Sequence, residues 1–353
     1  RIEFYATVRT PEPFLPAGTV IAREQNYIYT FHKDNAALQA AAPVKETETQ
    51  AIYSGKNFKA VFDKKSGMLV SYKYNGMEYI LNGQGLHPNF WRAPIDNDYG
   101  AGLPHKLGVW KEVSYGEVTA AVFNSRNGEV TCSYKFPKAD ASWDITYKIY
   151  ADGVIKVNNR FVAANEKTPM IPRIGLRMQM PETFTTLTYY GRGPEENYRD
   201  RRTSQFFGEY SLPIKDMYEP YIRPQENNHR TDIYWCAFTN KSGAGLLLVA
   251  DRTFELNASN HPLETLDSGD DLHNAAPRTA ETDHRHLTDP KPEKVVDVFV
   301  DYRMMGIGGD NSWGALPHEP YLIRTGSGNA IEYGFTLVPF GRKVDFRNLI
   351  YQY

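Results

Sequence analysis

Five carboxylates have settings in which they could do chemistry: Asp96 and Asp98 in "FWRAPIDNDYG", Glu195 and Glu196 in "YYGRGPEENYRDR", and Glu226 in "PYIRPQENNHR". Two carboxyl groups held ~5 to 5.5 Å apart are what retaining hydrolysis of a glycosidic bond requires, one as nucleophile and one as acid/base. Each segment also carries arginines and turn-forming residues, so an ion pair or a loop hydrogen bond explains any single carboxylate more readily. Nothing in the linear order pairs two of them across a cleft.

Metal chemistry has weaker support. Asp267, Asp270, Asp271 and His273 in "DSGDDLH", and His284 with His286 in "DHRHL", match neither a calcium loop nor a zinc spacing. Strand alternation puts His284 and His286 on one face, where a hydrogen-bonded edge pair is the simpler reading. No metal ligand is assigned and no cofactor is expected. Nucleophile elbow, phosphate loop and dinucleotide fingerprint are all missing, and the glycines of "GIGG" do not open a helix.

Trp313 stands out by its neighbours. A core tryptophan sits among alternating apolar residues, as Trp235 does in "DIYWCAF". Trp313 instead follows Gly308, Gly309, Asp310, Asn311 and Ser312, a glycine-rich run that presents a ring more readily than it packs one. Sugars offer flat C–H faces to such rings, and Asp310 and Asn311 could bond their hydroxyls. An aromatic plugging the loop onto its own sheet explains the local sequence equally well.

The elements that would have to position these residues are strands. In "NFKAVFDKKSGMLVSYKYNGMEYI", Phe58, Ala60 and Phe62 alternate with polar residues before a Lys-Ser-Gly turn, and Asn75-Gly76 closes a second hairpin. Ile145, Tyr147 and Ile149, then Ile155, Val157 and Phe161 across Asp152-Gly153, repeat the pattern. Only Leu103–Val113 has helical spacing. The composition break at residues 35–50 reads as a linker, residues 1–34 as the last strands of a domain, and residues 51–353 as one large sandwich. Forty basic against forty-two acidic side chains give a formal charge of −2, which leaves no footprint for a nucleic-acid partner. No run approaches the ~18 to 20 apolar residues of a membrane helix. Cys132 and Cys236, the only cysteines, lie in strand-like runs and read as two buried thiols.

"FWRAPIDNDYG", "GRGPEENYRDR", "YEPYIRPQENNHRTD", "DHRHL" and "MGIGGDNSWG" resemble, in this order, motifs of the C-terminal region of bacterial β-galactosidases of glycoside hydrolase family 2. That resemblance implies an all-β antiparallel super-sandwich similar to galactose mutarotase, preceded by the end of an immunoglobulin-like domain. It also implies that the catalytic glutamates lie on a (β/α)8 barrel elsewhere in the longer protein, so no catalytic residue is carried over onto this chain. What carries over is narrower. Trp313 matches the tryptophan that forms a sugar platform, with Asp310 and Asn311 beside it. Asp98 and Gly100 match the start of a loop that closes over the site.

Arg192, Glu195, Arg199, Glu226 and His284 are further candidates for polar positions on a concave face. The implied partners are a β-galactoside or galactose, the barrel and immunoglobulin-like domains, and further copies of the chain. The implied function is carbohydrate binding and active-site completion for retaining hydrolysis of terminal β-galactosides such as lactose. A stand-alone aldose 1-epimerase and a purely structural or carbohydrate-binding module are the alternatives. The sequence does not fix the compartment.

Overall fold

The computed structural model describes residues 1–26, 40–164, 170–267, 286–311, 314–324 and 329–353. Strands β1 (Ile2–Thr7) and β2 (Val20–Asn26) form a two-stranded sheet. A five-stranded meander follows, of β3 (Val44–Glu46), β4 (Gln50–Ser54), β5 (Phe58–Asp63), β6 (Leu69–Tyr74) and β7 (Met77–Glu78). After β8 (His87–Asn89) come helices α1 (Asp96–Gly100), α2 (Leu103–Lys106) and α3 (Gly108–Tyr115). The chain continues through β9 (Val122–Arg126), β10 (Glu129–Phe136), β11 (Ala141–Ile149), β12 (Ile155–Ala163), β13 (Arg173–Pro181), β14 (Phe184–Gly193) and β15 (Phe206–Pro213). It ends with β16 (Arg230–Asn240), β17 (Gly245–Ser259), helix α4 (Leu263–Leu266), β18 (Val295–Met304), β19 (Ile331–Phe340) and helix α5 (Arg347–Ile350).

Strands β8 to β19 make one antiparallel sheet of twelve, in the order β15-β14-β16-β17-β19-β12-β11-β10-β9. It forks at β17, whose fifteen residues are long enough to serve two neighbours. Gly245–Ala250 pairs with β19, and Glu255–Ser259 pairs with β18, which in turn pairs with β13. The expected all-β antiparallel sandwich is what the chain forms.

The five-stranded meander lies on the large sheet, and the alternation seen in sequence is the reason. Phe58, Ala60 and Phe62 of β5 are buried, as are Ile145, Tyr147 and Ile149 of β11 and Ile155, Val157 and Phe161 of β12. Phe62 meets Tyr147 edge-on, with ring centroids 4.9 Å apart. Several tyrosines place the ring in the core and use the hydroxyl to satisfy a backbone carbonyl of the other layer. Tyr53 donates to Arg126 O and Glu129 O, Tyr72 to Gly153 O at 2.6 Å, and Tyr79 to Gly245 O at 2.9 Å. A buried phenol can bridge layers this way because its polar end finds an acceptor. Cys132 and Cys236 are buried and unpaired with each other, as two core thiols, and Trp235 packs in the core.

Two details differ from the sequence reading. The stretch 35–50 is not all linker, because Val44–Glu46 pairs with β4 at the edge of the meander. Helix is also more extensive than the Leu103–Val113 spacing predicts. Asp96–Gly100 already forms a helical turn, with Asp98 Oδ2 accepting the Ile95 N–H. Pro104 lies in the first turn of α2, where its missing N–H costs nothing, and Lys106 Nζ reaches the Ala101 carbonyl. These short helices are anchored by Trp110, which is fully buried against Phe90 and Phe161 and donates Nε1 to Met170 O at 2.8 Å.

The β1–β2 hairpin touches the rest of the chain at the edge strand β15. Gln25 exchanges two hydrogen bonds with the backbone of Phe207, and the guanidinium of Arg23 lies 4.4 Å from the Phe206 ring centre.

Replacing Tyr72 with Phe tests the layer bridge. It keeps the ring but strands the Gly153 carbonyl, so urea unfolding is expected to show a loss of about 1 to 3 kcal/mol. A change within experimental error would mean that water replaces the hydroxyl.

Candidate functional site

Arg92, just after β8, is the point on which four of the five sequence motifs converge. Its guanidinium is buried and pairs bidentately with Asp98 in α1, at 3.0 and 2.8 Å. The same group donates to the carbonyls of Met305 and Gly306, at 2.7 and 3.0 Å. Asn97 adds a bond to Ile307 O. From the other side, the Asp200 carboxylate accepts the N–H groups of Ile307 and Gly308. Ala93 O, next to Arg92, accepts the Glu226 N–H at 3.1 Å. The start of the glycine-rich run is therefore held on both faces by charge-assisted bonds, which are shorter and stronger than neutral ones.

The return of the loop is fixed by contact. Gly314 has φ 109°, and a Cβ placed there would lie 2.6 Å from Gly100 O, so glycine is required both for the conformation and for the close approach to α1. Asp310 and Asn311, at the tip, are exposed, and Asp310 pairs with His318 at 2.8 Å. Trp313 lies outside the described residues.

Behind this root, three neighbouring strands carry charge on one face and apolar residues on the other. Arg173 and Arg177 on β13, Asp297 and Asp301 on β18, and Glu255 and Asn257 on β17 are all buried. The intervening Ile174, Leu176, Leu256, Ala258, Val298 and Val300 belong to the core. Arg173 Nε donates to Asp301 at 2.8 Å, and its Nη1 lies 3.5 Å from Glu226. Arg177 holds both oxygens of Asp297 and reaches Glu264 on α4. Gly175 sits between the two arginines, where a Cβ would fall 1.7 Å from Asp301 Oδ1.

His229 locks this ladder to the arginine-rich loop. The Asn257 amide donates to Glu226 Oε1 and Asn227 O, which leaves its oxygen as the acceptor facing His229 Nδ1 at 2.7 Å. His229 Nε2 meets Glu255 Oε2 at 3.0 Å, so both ring nitrogens lie against side-chain oxygens. Glu255 also accepts from Arg199 Nε at 2.6 Å and from the Met304 N–H at 2.7 Å.

The two carboxylates of the ladder are pushed in opposite directions. Burial raises the Asp301 pKa to about 7, with Arg173 and His229 opposing and Glu255 reinforcing the shift. Burial acts on Glu255 too, but the His229 hydrogen bond, the charges of His229 and Arg199, and the Met304 N–H outweigh it and leave its pKa below the usual range. Burial thus favours the neutral form of Asp301, whereas the hydrogen bonds and charges around Glu255 favour its ionised form.

The other sequence candidates fall into distinct settings. Asp98 is enclosed by Arg92 and Ile95, and Glu226 by Arg173 and Asn257, so both carboxylates position other groups. Gly100 backs the return of the glycine loop. In the arginine-rich loop, Arg192 and Arg202 share Asp232, Arg199 holds Glu255 and Arg201 holds Glu196. Glu195 is exposed, and its carboxylate has no ion-pair partner among the described residues. His284 lies outside the described residues, as do Asp270, Asp271 and His273. His286 is not on a strand as expected; it is exposed in a turn, which Asp289 closes by accepting the His286 N–H.

Residues 54–337 match the family described as the β-galactosidase small chain. The chain belongs to that family. A β-galactosidase from Priestia megaterium is 33% identical over 87% of this chain and 28% of its own length. One from Streptococcus thermophilus is 28% identical over 96% of this chain and 31% of its own length. The chain therefore spans under a third of these relatives. Among solved structures, a galactose mutarotase related enzyme from Lactobacillus acidophilus is similar over 83% of this chain and 98% of that one, with TM-score 0.47 and 10% identity.

For this small-chain member, sequence reasoning passed over Arg92, Arg173, Arg177, His229, Glu255, Asn257, Asp297 and Asp301. A signal was available. "RIGLRMQM", "FELNAS" and "VVDVFVDY" each insert charged or amide residues at even spacing into apolar strands, a pattern that puts every polar group on one face.

The Asp301 shift gives a testable pH dependence. Its folded pKa of about 7 lies above the ~3.9 of an unfolded Asp, so the folded state holds the extra proton between these values. The stabilisation is complete below pH ~4 and is lost as pH rises to about 7. The difference in unfolding free energy between the parent chain and an Asp301→Asn variant should therefore shift against the parent by a few kcal/mol between pH ~4 and ~8. A pH-independent difference would show that Asp301 titrates normally.

Proposed function

We propose that this chain is the part of a β-galactosidase that completes a sugar site made largely by the rest of a longer protein, which hydrolyses terminal β-galactosides with retention. The observation that carries this reading is the convergence on Arg92. Two motifs far apart in sequence tie down both ends of the glycine-rich loop, the first through Asp98, Asn97 and Gly100 and the second through Asp200, while its tip at Asp310 and Asn311 faces solvent. A root built of buried charge-assisted bonds supporting an exposed polar tip suits a loop that reaches a ligand outside its own sheet. Trp313, two residues beyond Asn311, is the ring we assign to stacking on the sugar.

An epimerase needs an acid and a base that reach one sugar ring. The groups here with shifted protonation, Asp301 and Glu255, together with His229, are at most 1% exposed. They serve as struts beneath the loop in the arrangement described, which favours the galactosidase reading.

The test has two halves. The chain alone is expected to leave a chromogenic β-galactoside unhydrolysed above background, and Trp313→Ala should lower its stability by less than about 1 kcal/mol, as for surface changes. In the longer enzyme the same substitution should weaken transition-state or leaving-group binding by roughly 1 to 3 kcal/mol. A melting loss of ~3 to 5 kcal/mol in the chain would make the ring a core residue instead.

A further inference from the structure

The glycine-rich loop shares both of its supports with a second loop, residues 219–225. One support is α1. Gly100 backs Gly314 there, and the neighbouring Tyr99 carries the Arg223 guanidinium 3.9 Å from its ring centre. The other is the arginine-rich loop. Asp200 holds the N–H groups of Ile307 and Gly308, while Glu196, four residues earlier, accepts the Tyr221 hydroxyl. Glu196 is itself fixed, because it also takes the Asn228 N–H at 2.7 Å and pairs with Arg201. The two loops are therefore clamped to one frame, each by α1 and by the arginine-rich loop.

Between those clamps the second loop has little freedom. Pro220 and Pro224 bracket Tyr221, Ile222 and Arg223 and restrict φ at both ends. Just before them Tyr218 stacks on His261, with ring centres 3.9 Å apart, and just after them the Glu226 N–H bonds Ala93 O. Tyr221 and Arg223 are half-buried against their partners, and Pro224 is buried. Ile222, between them, is turned outward and 87% exposed. A loop braced so firmly around a bare isoleucine holds an apolar surface in place before any partner arrives, so little ordering cost remains on contact.

We propose that Ile222 is a specificity-determining contact for the leaving group of the substrate, favouring β-galactosides whose leaving group is apolar, such as an aryl group, over those whose leaving group is a second sugar. This inference rests on the reading of the glycine-rich loop as a sugar contact. The tips of the two loops differ in chemistry. Asp310 and Asn311 bond hydroxyl groups, whereas the Ile222 side chain has only C–H surface and gains by covering apolar groups. The galactosyl ring is common to all these substrates and is rimmed by hydroxyls, so an aliphatic side chain discriminates on the leaving-group side.

The experiment measures kcat/KM of the longer enzyme for 4-nitrophenyl β-galactoside and for lactose, in the parent and in Ile222→Ser, Ile222→Val and Trp313→Ala variants. Ile222→Ser should lower kcat/KM about tenfold for the aryl substrate and no more than about twofold for lactose, and Ile222→Val should keep most of the aryl preference. The leaving group departs before water attacks the glycosyl–enzyme, so hydrolysis of that shared intermediate should be the same in Ile222→Ser and the parent. In the 353-residue chain, Ile222→Ser should leave the melting temperature unchanged, as for an exposed side chain.

Equal losses for the two substrates, or none, with Trp313→Ala still weakening turnover, overturn the role of Ile222 and leave the glycine-rich loop as a sugar contact. Unchanged turnover in both Ile222→Ser and Trp313→Ala overturns the two together. A longer enzyme that melts lower with Ile222→Ser while keeping its substrate preference makes Ile222 a contact between parts of the protein, which also overturns the proposal.

Discussion

One buried guanidinium organises the functional end of this chain. Arg92 is removed from water, which is tolerable only because Asp98 neutralises it and two carbonyls take its remaining donors. Those acceptors come from α1 and from the residues that follow β18, so satisfying one charge forces two distant segments into a single geometry. The requirement is strict, since losing one partner of a buried pair typically costs ~3 to 5 kcal/mol. The loop that carries the candidate sugar contacts inherits its position from this constraint.

The ionic ladder beneath it follows the same logic on a larger scale. A twelve-stranded sheet has two faces, and here the apolar layer covers one of them. On the other, β13, β17 and β18 place Arg173, Arg177, Glu255, Asn257, Asp297 and Asp301 in register, so that each buried charge has a partner on the next strand or loop. Buried ion pairs of this kind contribute little net stability compared with apolar packing. They do make other registers of these three strands unfavourable, because a one-residue slip would turn every charge into the apolar core. Positional accuracy behind the loop is the gain.

Motif recognition and residue chemistry reached different parts of this molecule. The five motifs pointed to Asp98, Glu226 and the glycine-rich loop, and the structure gathers four of those motifs at one place. It gives Asp98 and Glu226 the ion-pair role that the sequence reading preferred for any single carboxylate. Asp98 and Glu226 are shut in with arginines and amides, so they hold the frame and are not offered to a substrate. Glu195, equally acidic in sequence, is left in solvent. Composition cannot distinguish these three cases, because what separates them is which arginine the fold brings within reach.

The sequence alone determined the class of fold, since period-two alternation with tight Asn-Gly and Asp-Gly turns admits little except strands, and Phe58, Ala60, Phe62, Ile145, Tyr147 and Ile149 are buried as that alternation requires. Short-range chemistry suffices for such features: each depends on a few neighbouring residues. Only the tertiary structure decided that β17 serves two branches of the sheet and that Arg92 joins α1 to the residues after β18. These pairings span up to about two hundred residues. They are settled by which buried charges and backbone groups can be satisfied simultaneously, a condition that exists only once the sheet has closed.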